Sequence, residues 1–213
     1  MSEGIDADTE REGAVSESTG PVRPNPLLRG EHVYLRALEP SDVELVHRWY
    51  EHADTARLMG EWPRSLAGRR ADAERSLADV GKDWFGFIIC LLADDRPIGR
   101  IDVFEVDRTN GSAAFGMAIG EHEVRGRGLG TDAVHAVLDF CFGQLRLERV
   151  WLVTDSVNLR AQHVYEKAGL VREGVLRKAF FQDGRFQDDI RMSILRSEWA
   201  AQARKRSWEY AER

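Results

Sequence analysis

Past residue 26 the chain alternates apolar runs with turn-rich segments, and the period of each run predicts its secondary structure. Residues 32–37 form a strand candidate, and Ser41 with Glu44 forms a capping box ahead of apolar residues at helical spacing. A second helix is predicted over 66–80. Three longer apolar runs, separated by turns rich in Asp, Asn and Gly, predict an antiparallel meander. These runs cover residues 84–93, 97–106 and 111–120.

The second half of the chain contains both periods. From Leu129 to Cys141 apolar residues recur every four positions, which predicts a helix, and the short apolar run 147–154 predicts a strand. Asn158 is a good N-cap for a further helix, which Gly169 should end. Two more strands, at 170–181 and 185–195, flank the hairpin turn Gln182-Asp183-Gly184, and a last helix starts at Ser197. Strands before, between and after helices predict a mixed α/β sheet.

Composition divides the chain into three segments. Residues 1–26 are predicted to be a disordered acidic tail, because they have almost no large apolar residue to bury. Residues 27–199 have the length of one domain, and residues 200–213 are predicted to be a helical extension. The tail has six acidic residues against two arginines, so most of the net charge of −6 belongs to it and the body is close to neutral.

Composition also excludes several functional classes. The longest apolar stretch, 85–93, is far shorter than the ~20 residues of a membrane span, and the N-terminus lacks a signal peptide, so no membrane partner and a cytoplasmic protein are expected. A near-neutral body without a basic stripe argues against a nucleic acid partner. Cys90 and Cys141 lie in apolar runs and are interpreted as core residues. No spacing of His, Cys and Asp suggests a metal site, so no metal is expected.

The sharpest local motif is Arg-Gly-Arg-Gly-Leu-Gly-Thr at 125–131, between a predicted strand and a predicted helix. Glycine lets the backbone approach a ligand, the first N–H groups of a helix lack intrahelical partners, and the helix dipole favours an anion. The segment is therefore interpreted as a phosphate or pyrophosphate cradle. The chain has no Lys-Ser or Lys-Thr pair, which excludes a Walker A loop. The match of Gly128-x-Gly130-x-x-Ala133 to a dinucleotide fingerprint is weak, because it follows a meander instead of an early βαβ unit.

Two motifs in order resemble the GNAT superfamily of acyl-CoA-dependent N-acyltransferases. The family's R/Q-x-x-G-x-G/A loop matches Arg125, Gly128 and Gly130. The residues that match its second motif, N-x-x-A-x-x-x-Y-E-K-x-G-F/L, are Asn158, Ala161, Tyr165, Glu166, Lys167, Gly169 and Leu170. The resemblance covers about 27–199, and the two ends of this range look like the RimJ/RimL-type branch.

The resemblance implies a GNAT-type fold with a mostly antiparallel central sheet, a splayed parallel strand pair and flanking helices. It implies acetyl-CoA as acyl-donor cosubstrate and transfer of acetyl to a primary amine by direct attack in a ternary complex. The residues then expected to bind the cosubstrate are Met117, Ile119, Arg125, Gly126, Arg127, Gly128, Gly130, Thr131, Asn158 and Arg160.

The resemblance also makes Tyr165 the candidate acid for the departing thiolate. The amine must lose a proton before it attacks, and the family does not identify the base. The carboxylate candidates by strand position are Glu105, slightly favoured, and Asp102, Glu123 and Asp155. His122 and His163 are ambiguous, and no G-x-S-x-G elbow or Cys–His pair supplies an acyl-enzyme nucleophile.

Two further questions stay open at the level of sequence. A non-catalytic acyl-CoA-binding or regulatory domain is the alternative function, and the acceptor could be a peptide N-terminus, a polyamine or an aminosugar. The residues expected to form the acceptor wall are Trp49, Tyr50, His52, Met59, Trp62 and Phe180 to Asp183. A homodimer is also expected, from the resemblance and from the late aromatic residues Phe180, Phe181, Trp199 and Trp208.

Overall fold

The computed structural model describes residues 27–78 and 81–210, so the predicted disordered tail over 1–26 lies outside the described residues. The helices of the described ranges are α1 (Val43–Glu51), α2 (Ala53–Leu58), α3 (Leu66–Ala78), α4 (Leu129–Asp139), α5 (Leu159–Lys167) and α6 (Arg196–Ala201). The strands are β1 (Leu28–Arg29), β2 (Val33–Ala37), β3 (Phe85–Leu91), β4 (Pro97–Asp107), β5 (Ser112–Ile119), β6 (Arg149–Asp155), β7 (Val171–Gln182) and β8 (Arg185–Leu195). The predicted mixed α/β class is confirmed.

The strands form one eight-stranded sheet in the order β1-β2-β3-β4-β5-β6-β8-β7. All neighbouring strands are antiparallel except β5 and β6, which are parallel because α4 crosses over between them. This arrangement is the mostly antiparallel sheet with one parallel pair that the family resemblance implies.

The parallel pair separates after three residue pairs. Ser112 to Ala114 pair with Arg149 to Trp151, and no pairing joins β5 to β6 beyond that point. Phe115 to Ile119 remain paired with β4 alone. The sheet therefore has a gap at its centre, into which backbone groups of β5 project.

Helices cover both faces of the sheet and form two cores. On one face α4 and α5 pack on alternate residues of the central strands, such as Ile101, Phe115 and Leu152. On the other face α1 packs Val46 and Trp49 on residues of β2 and β3. Alternation along the strands assigns each residue to one of these faces.

The helix α4 is held at its start by a carboxylate. The two Asp132 side-chain oxygens accept hydrogen bonds from the backbone N–H groups of Glu31, His32 and Val33 at 2.8–3.0 Å. These bonds fix the first turn of α4 against the turn before β2, so the segment preceding α4 is presented from a rigid support.

A second buried carboxylate holds the C-terminal segment. Asp139, 1% exposed, accepts from Trp199 Nε1 at 2.9 Å, from Ser207 N at 2.7 Å and from Arg204 Nη2 at 2.6 Å. Residues 200–210 thus belong to the same domain. The predicted helical extension is wrong for this segment, because α6 ends at Ala201 and only a 3₁₀ turn at Ser207–Glu209 follows.

Both cysteines are buried and free, as expected of core residues. Across the described part of the chain, no helix combines the length and the apolar character that crossing a membrane requires.

Candidate active site

A cavity of about 480 Å³ opens at the gap between β5 and β6. It is reached from both faces of the sheet: residues of α4 and α5 line one side, and residues of α2 and β7 line the other. The predicted cosubstrate residues that line it are Met117, Ile119, Arg125, Gly126, Gly128, Gly130, Thr131, Asn158 and Arg160, together with Tyr165. Arg127 and Glu105 are not part of this lining.

The glycine-rich segment turns sharply into α4. Gly126 and Gly128 both adopt left-handed backbone angles, φ 78° and 82°, which glycine takes without strain. A Cβ atom at either position would have no other heavy atom within 4 Å, so space is open on that side. The first intrahelical bond runs from Asp132 N to Gly128 O, which leaves the N–H groups of residues 129–131 free to bind an anion.

Three arginines lie in or near this segment, and they differ in their hydrogen bonds and exposure. Arg125 donates from Nε to Ile119 O at 3.0 Å and from Nη2 to Thr55 Oγ1 at 3.0 Å. Its side chain therefore fixes the loop to β5 and α2, and its Nη1 group has no hydrogen-bond partner among the described residues. Arg127 and Arg160 are exposed and have no hydrogen bond or ion pair with a described residue. Burial and the nearby charge of Arg160 lower the pKa of Arg125, which indicates a positive field that an anionic ligand would relieve.

The backbone of β5 presents polar groups to the gap. The N–H of Gly120 donates toward β4, to Ile98 O at 2.8 Å. Because these directions alternate along a strand, the N–H and C=O groups of Met117 and Ile119 point away from β4 and into the gap. The Ile119 carbonyl accepts the Arg125 bonds, and the two N–H groups are without a partner on β6.

Two side chains of the second motif also reach the cavity. Asn158 caps α5, since its Oδ1 accepts from Ala161 N at 3.2 Å, and this leaves the amide Nδ2 free to donate. Tyr165 is 5% exposed and packs edge-on against Phe115 with 5.8 Å between ring centroids. Burial raises the pKa of Tyr165 to about 12, so its phenol keeps its proton at neutral pH.

The structure does not bring Glu105 to the cavity. This residue is exposed in a β-bulge of β4, with φ 52°. Its backbone lies roughly 20 Å along the strand from Gly99, which pairs with Ile119 at the cavity. Glu105 is therefore not placed to act as the base.

The other candidate bases have different surroundings. Asp102 forms an ion pair with Arg100 at 2.7 Å on the face covered by α1, and Glu123 forms an exposed one with Arg96 at 2.7 Å. Neither lines the cavity, whereas Asp155 does. His163 lines the cavity with an exposed side chain, while the Nε2 atom of His122 lies 3.0 Å from Thr55 Oγ1.

Asp155 pairs across the sheet with Asp189, which also lines the cavity. Their neighbours Thr154 and Ile190 pair as well, and Ile190 lies in the core under α4 and α5. The two carboxylates therefore project from the opposite face to Tyr165. Asp189 has no hydrogen bond or ion pair with a described residue, and burial together with the charges of Asp155 and Asp188 raises the pKa of its carboxyl.

Sequence reasoning assigned no chemistry to Asp189, because its approach to Asp155 follows from the register of β6 against β8. It also missed Thr55, which lies on the short helix α2 and receives the Arg125 bond. The signal for Asp189 in the sequence is the pair Asp188-Asp189 before the apolar end of a strand. Such pairs of acidic residues are common on protein surfaces, so this signal is weak.

The predicted acceptor wall is only partly assembled. Met59 and Phe180 line the cavity, and Gln182 Nε2 donates to Arg57 O at 2.7 Å, so the β7–β8 hairpin closes on α2. Three other predicted wall residues do not line the cavity. Trp49 is buried and bonded to Glu121 Oε1 at 2.8 Å, Tyr50 lines a separate cavity, and Trp62 is 72% exposed.

Comparison with known proteins agrees with this geometry. The family model described as "Acetyltransferase (GNAT) domain" matches residues 32–171. The SPbeta prophage-derived uncharacterized N-acetyltransferase YokL of Bacillus subtilis is 32% identical over 80% of this chain and 93% of its own length. The spermidine N(1)-acetyltransferase of Escherichia coli is 30% identical over 80% of this chain and 89% of its own length.

A solved structure extends the likeness to three dimensions. The spermidine N-acetyltransferase of Vibrio cholerae, in complex with CoA and spermine, is 30% identical with a TM-score of 0.74, covering 79% of this chain and 98% of that one. From the family model and these relatives, the chain belongs to the GNAT family of acetyltransferases and is an acetyl-CoA-dependent N-acetyltransferase.

Proposed function

We propose that the protein acetylates a primary amine of a small polycationic acceptor, of the polyamine class, by direct attack in a ternary complex. The main support is the cavity at the strand gap, which has an anion-binding segment on one face of the sheet and the Asp155–Asp189 carboxylates on the other. A donor that carries pyrophosphate and an acceptor that carries ammonium groups fit these opposite sides. Relatives that are spermidine N-acetyltransferases support the same acceptor class.

The donor side fits a ligand with a pyrophosphate and a long polar arm. Acetyl-CoA supplies the activated acetyl thioester. The free N–H groups of residues 129–131 and the exposed Arg160 hold the pyrophosphate, and Asn158 Nδ2 donates to the arm. Holding the remote end in this way aligns the thioester and lowers the entropic part of the barrier.

The reacting centre is surrounded by three kinds of group. The N–H groups of Met117 or Ile119 stabilise the negative charge that develops on the carbonyl oxygen. Asp189 accepts the proton of the attacking ammonium group from the acceptor side, and Tyr165 donates to the departing thiolate from the donor side. Both cysteines are buried in the cores, so attack by the amine itself, without an acyl-enzyme, is the route that these residues support.

A panel of acceptors tests the substrate class. Spermidine and spermine should be acetylated with kcat/KM at least ~10-fold above that of a monoamine, because the second ammonium group pairs with Asp155. A peptide N-terminus and an aminosugar, the two other acceptors that the sequence leaves open, are the second and third arms of the panel. Preference for either one would contradict the polyamine proposal. The cytoplasmic location expected from the sequence stays a prediction.

Two matched carboxylate variants test the base. Asp189→Asn should lower kcat/KM by about 10²–10⁴-fold, the usual range for general base catalysis, while Glu105→Gln should leave it unchanged. The base must be deprotonated, so activity of the parent should fall on acidification with a midpoint above the ordinary Asp range, in the direction of the raised pKa. An unchanged acid limb in Asp189→Asn would assign the proton transfer to another group.

A further inference from the structure

Three metal-binding side chains meet beside the active site, at the junction of α1 and α2. His52 precedes α2, Asp54 lies in its first turn, and His122 lies in the 3₁₀ turn His122–Val124 that follows β5. One ligand atom of each residue lies within 4.8 Å of one from each of the others. None of the three lines the cavity described above, so the cluster lies beside the cavity without forming part of its lining.

The two imidazole rings are in direct contact. Their centroids are 3.7 Å apart with an angle of 48° between the planes. Two imidazolium ions at this distance would repel each other, so the contact suits neutral rings. The neutral ring is the form that binds metal ions.

The outer partners of His122 orient its ring. Its Nε2 atom lies 3.0 Å from Thr55 Oγ1, and the same hydroxyl oxygen accepts from Arg125 Nη2 at 3.0 Å. An Nε2–H bonded to this oxygen leaves the other nitrogen, Nδ1, with a free lone pair. Metal-binding histidines are commonly held this way, with the second ring nitrogen donating to a neighbouring oxygen.

The carboxylate completes the set. Asp54 is exposed and has no hydrogen bond or ion pair with a described residue, although its charge acts on His122 and Arg125. Its oxygens are therefore available, and its side chain and that of His52 are both exposed at the surface. In a tetrahedral zinc site with bonds of 2.0–2.2 Å, ligand atoms lie roughly 3.3 Å apart. Small rotations of these two exposed side chains close the remaining distance.

We propose that His52, Asp54 and His122 form a binding site for a borderline divalent transition-metal ion, Zn²⁺ above all. Two imidazole nitrogens and one carboxylate suit Zn²⁺ and its neighbours in the first transition row, whereas Mg²⁺ and Ca²⁺ prefer oxygen ligands. The exposure of His52 and Asp54 leaves the remaining coordination positions to water.

A bound ion would join the two walls of the active site. Thr55 follows Asp54 on α2 and lines the cavity, and His122 lies close in sequence to Arg125, which also lines it. The ion would thus tie α2, on the acceptor side, to the segment that precedes α4, on the donor side. Its role is to position these segments, and it takes no part in acetyl transfer.

Calorimetric titration of the full chain, without an affinity tag and after treatment with a chelator, tests the site. ZnCl₂ should bind with a stoichiometry of one per chain, and MgCl₂ should not bind. His52→Ala, His122→Ala and Asp54→Asn should each weaken zinc binding by at least ~10-fold, because each removes or neutralises one of three ligands. His32→Ala, which removes an exposed histidine that does not belong to the cluster, should leave binding unchanged.

A thermal readout separates metal binding from folding. Zn²⁺ should raise the melting temperature of the parent and of His32→Ala, and it should not do so for Asp54→Asn, whose melting temperature without metal should match the parent. Equal zinc affinity in the parent and in all three cluster variants would overturn the proposal, as would binding of Mg²⁺ with the same affinity. Loss of acetyl transfer with zinc binding intact would concern the proposed function alone.

Discussion

Tyr165 and Asp189 face the same cavity from opposite sides of the sheet, and burial acts on both in the same direction. It raises the pKa of the Tyr165 phenol to about 12 and also raises the pKa of the Asp189 carboxyl. A protonated phenol is a hydrogen-bond donor, and a carboxylate with a raised pKa is a stronger base. The two environments therefore suit opposite proton-transfer roles.

Replacing Tyr165 by Phe should lower kcat by about 10–1000-fold and leave acetyl-CoA affinity nearly unchanged, because the ring and its packing on Phe115 remain. Single-turnover measurement is the proper check, since slow product release can hide the chemical step. Tyr34→Phe is the matched control: burial also raises the pKa of Tyr34 to about 12, but this residue lies in the core on the other face. A normal single-turnover rate in Tyr165→Phe would pass the role of acid to water or another residue.

For single residues, the sequence predicted correctly those positions that spacing along one helix determines. Tyr165 lies two helical turns after Asn158, so a motif on one helix suffices to bring both to one site. Glu105 was misplaced because a β-bulge and the length of β4 set its distance from the cavity. Asp189 could not be assigned a role, because it approaches Asp155 through strand register alone.

Among the elements, the turn into α4 depends most on backbone conformation. A side chain at the left-handed angle of Gly128 costs about 1–2 kcal/mol of folding free energy. In the proposed binding mode it would also occupy space that the pyrophosphate needs. Gly81 offers a comparison, because it has φ 88° and equally open surroundings at a turn before β3.

Gly128→Ala and Gly81→Ala should therefore reduce stability by similar amounts, while only Gly128→Ala weakens acetyl-CoA binding in a calorimetric titration. Gly128→Glu should abolish binding, because a negative charge would stand beside the pyrophosphate. Parent-like affinity in Gly128→Glu would show that the glycine-rich segment does not hold the cosubstrate.

The end of α4 carries a second prediction. Asp139→Asn breaks the buried pair with Arg204 and should lower the free energy of unfolding by about 3–5 kcal/mol in urea denaturation. Glu44→Gln breaks an exposed ion pair with Arg70 and should leave the denaturation midpoint close to that of the parent. Equal midpoints for the two variants would mean that the C-terminal segment contributes little to stability.

The sequence predicted the order of strands and helices well, because apolar period and turn residues are local signals. The C-terminal segment was misjudged since its place depends on Asp139, far away in the chain. Helix α2 was missed because it has six residues and one buried side chain, Thr55, so no apolar period marks it.

On the scale of the whole molecule, the β7–β8 hairpin leaves apolar side chains exposed at one edge of the sheet. Phe181 is 48% exposed and Phe186 62%, and their rings contact each other. Trp199, which sequence reasoning offered as an exposed aromatic, is instead buried beside Asp139. An edge strand with an apolar surface favours association with a second chain.

A homodimer is therefore expected, and light scattering should give about twice the chain mass of 24.2 kDa. Phe186→Ser should shift the mass toward one chain, and Trp62→Ser, which alters an exposed aromatic outside the hairpin, should not. A mass of one chain at high concentration of the parent would contradict this expectation.

The separation of β5 from β6 also bears on how protons of the backbone exchange with solvent. Amides at the centre of a sheet are normally the slowest to exchange, because they open only with the whole domain. Here Met117 and Ile119 interrupt the middle of the sheet with N–H groups that face a cavity. In deuterium exchange they should label early in the free enzyme and slow strongly when acetyl-CoA is added, so a fast patch within a slow core would mark the site of catalysis.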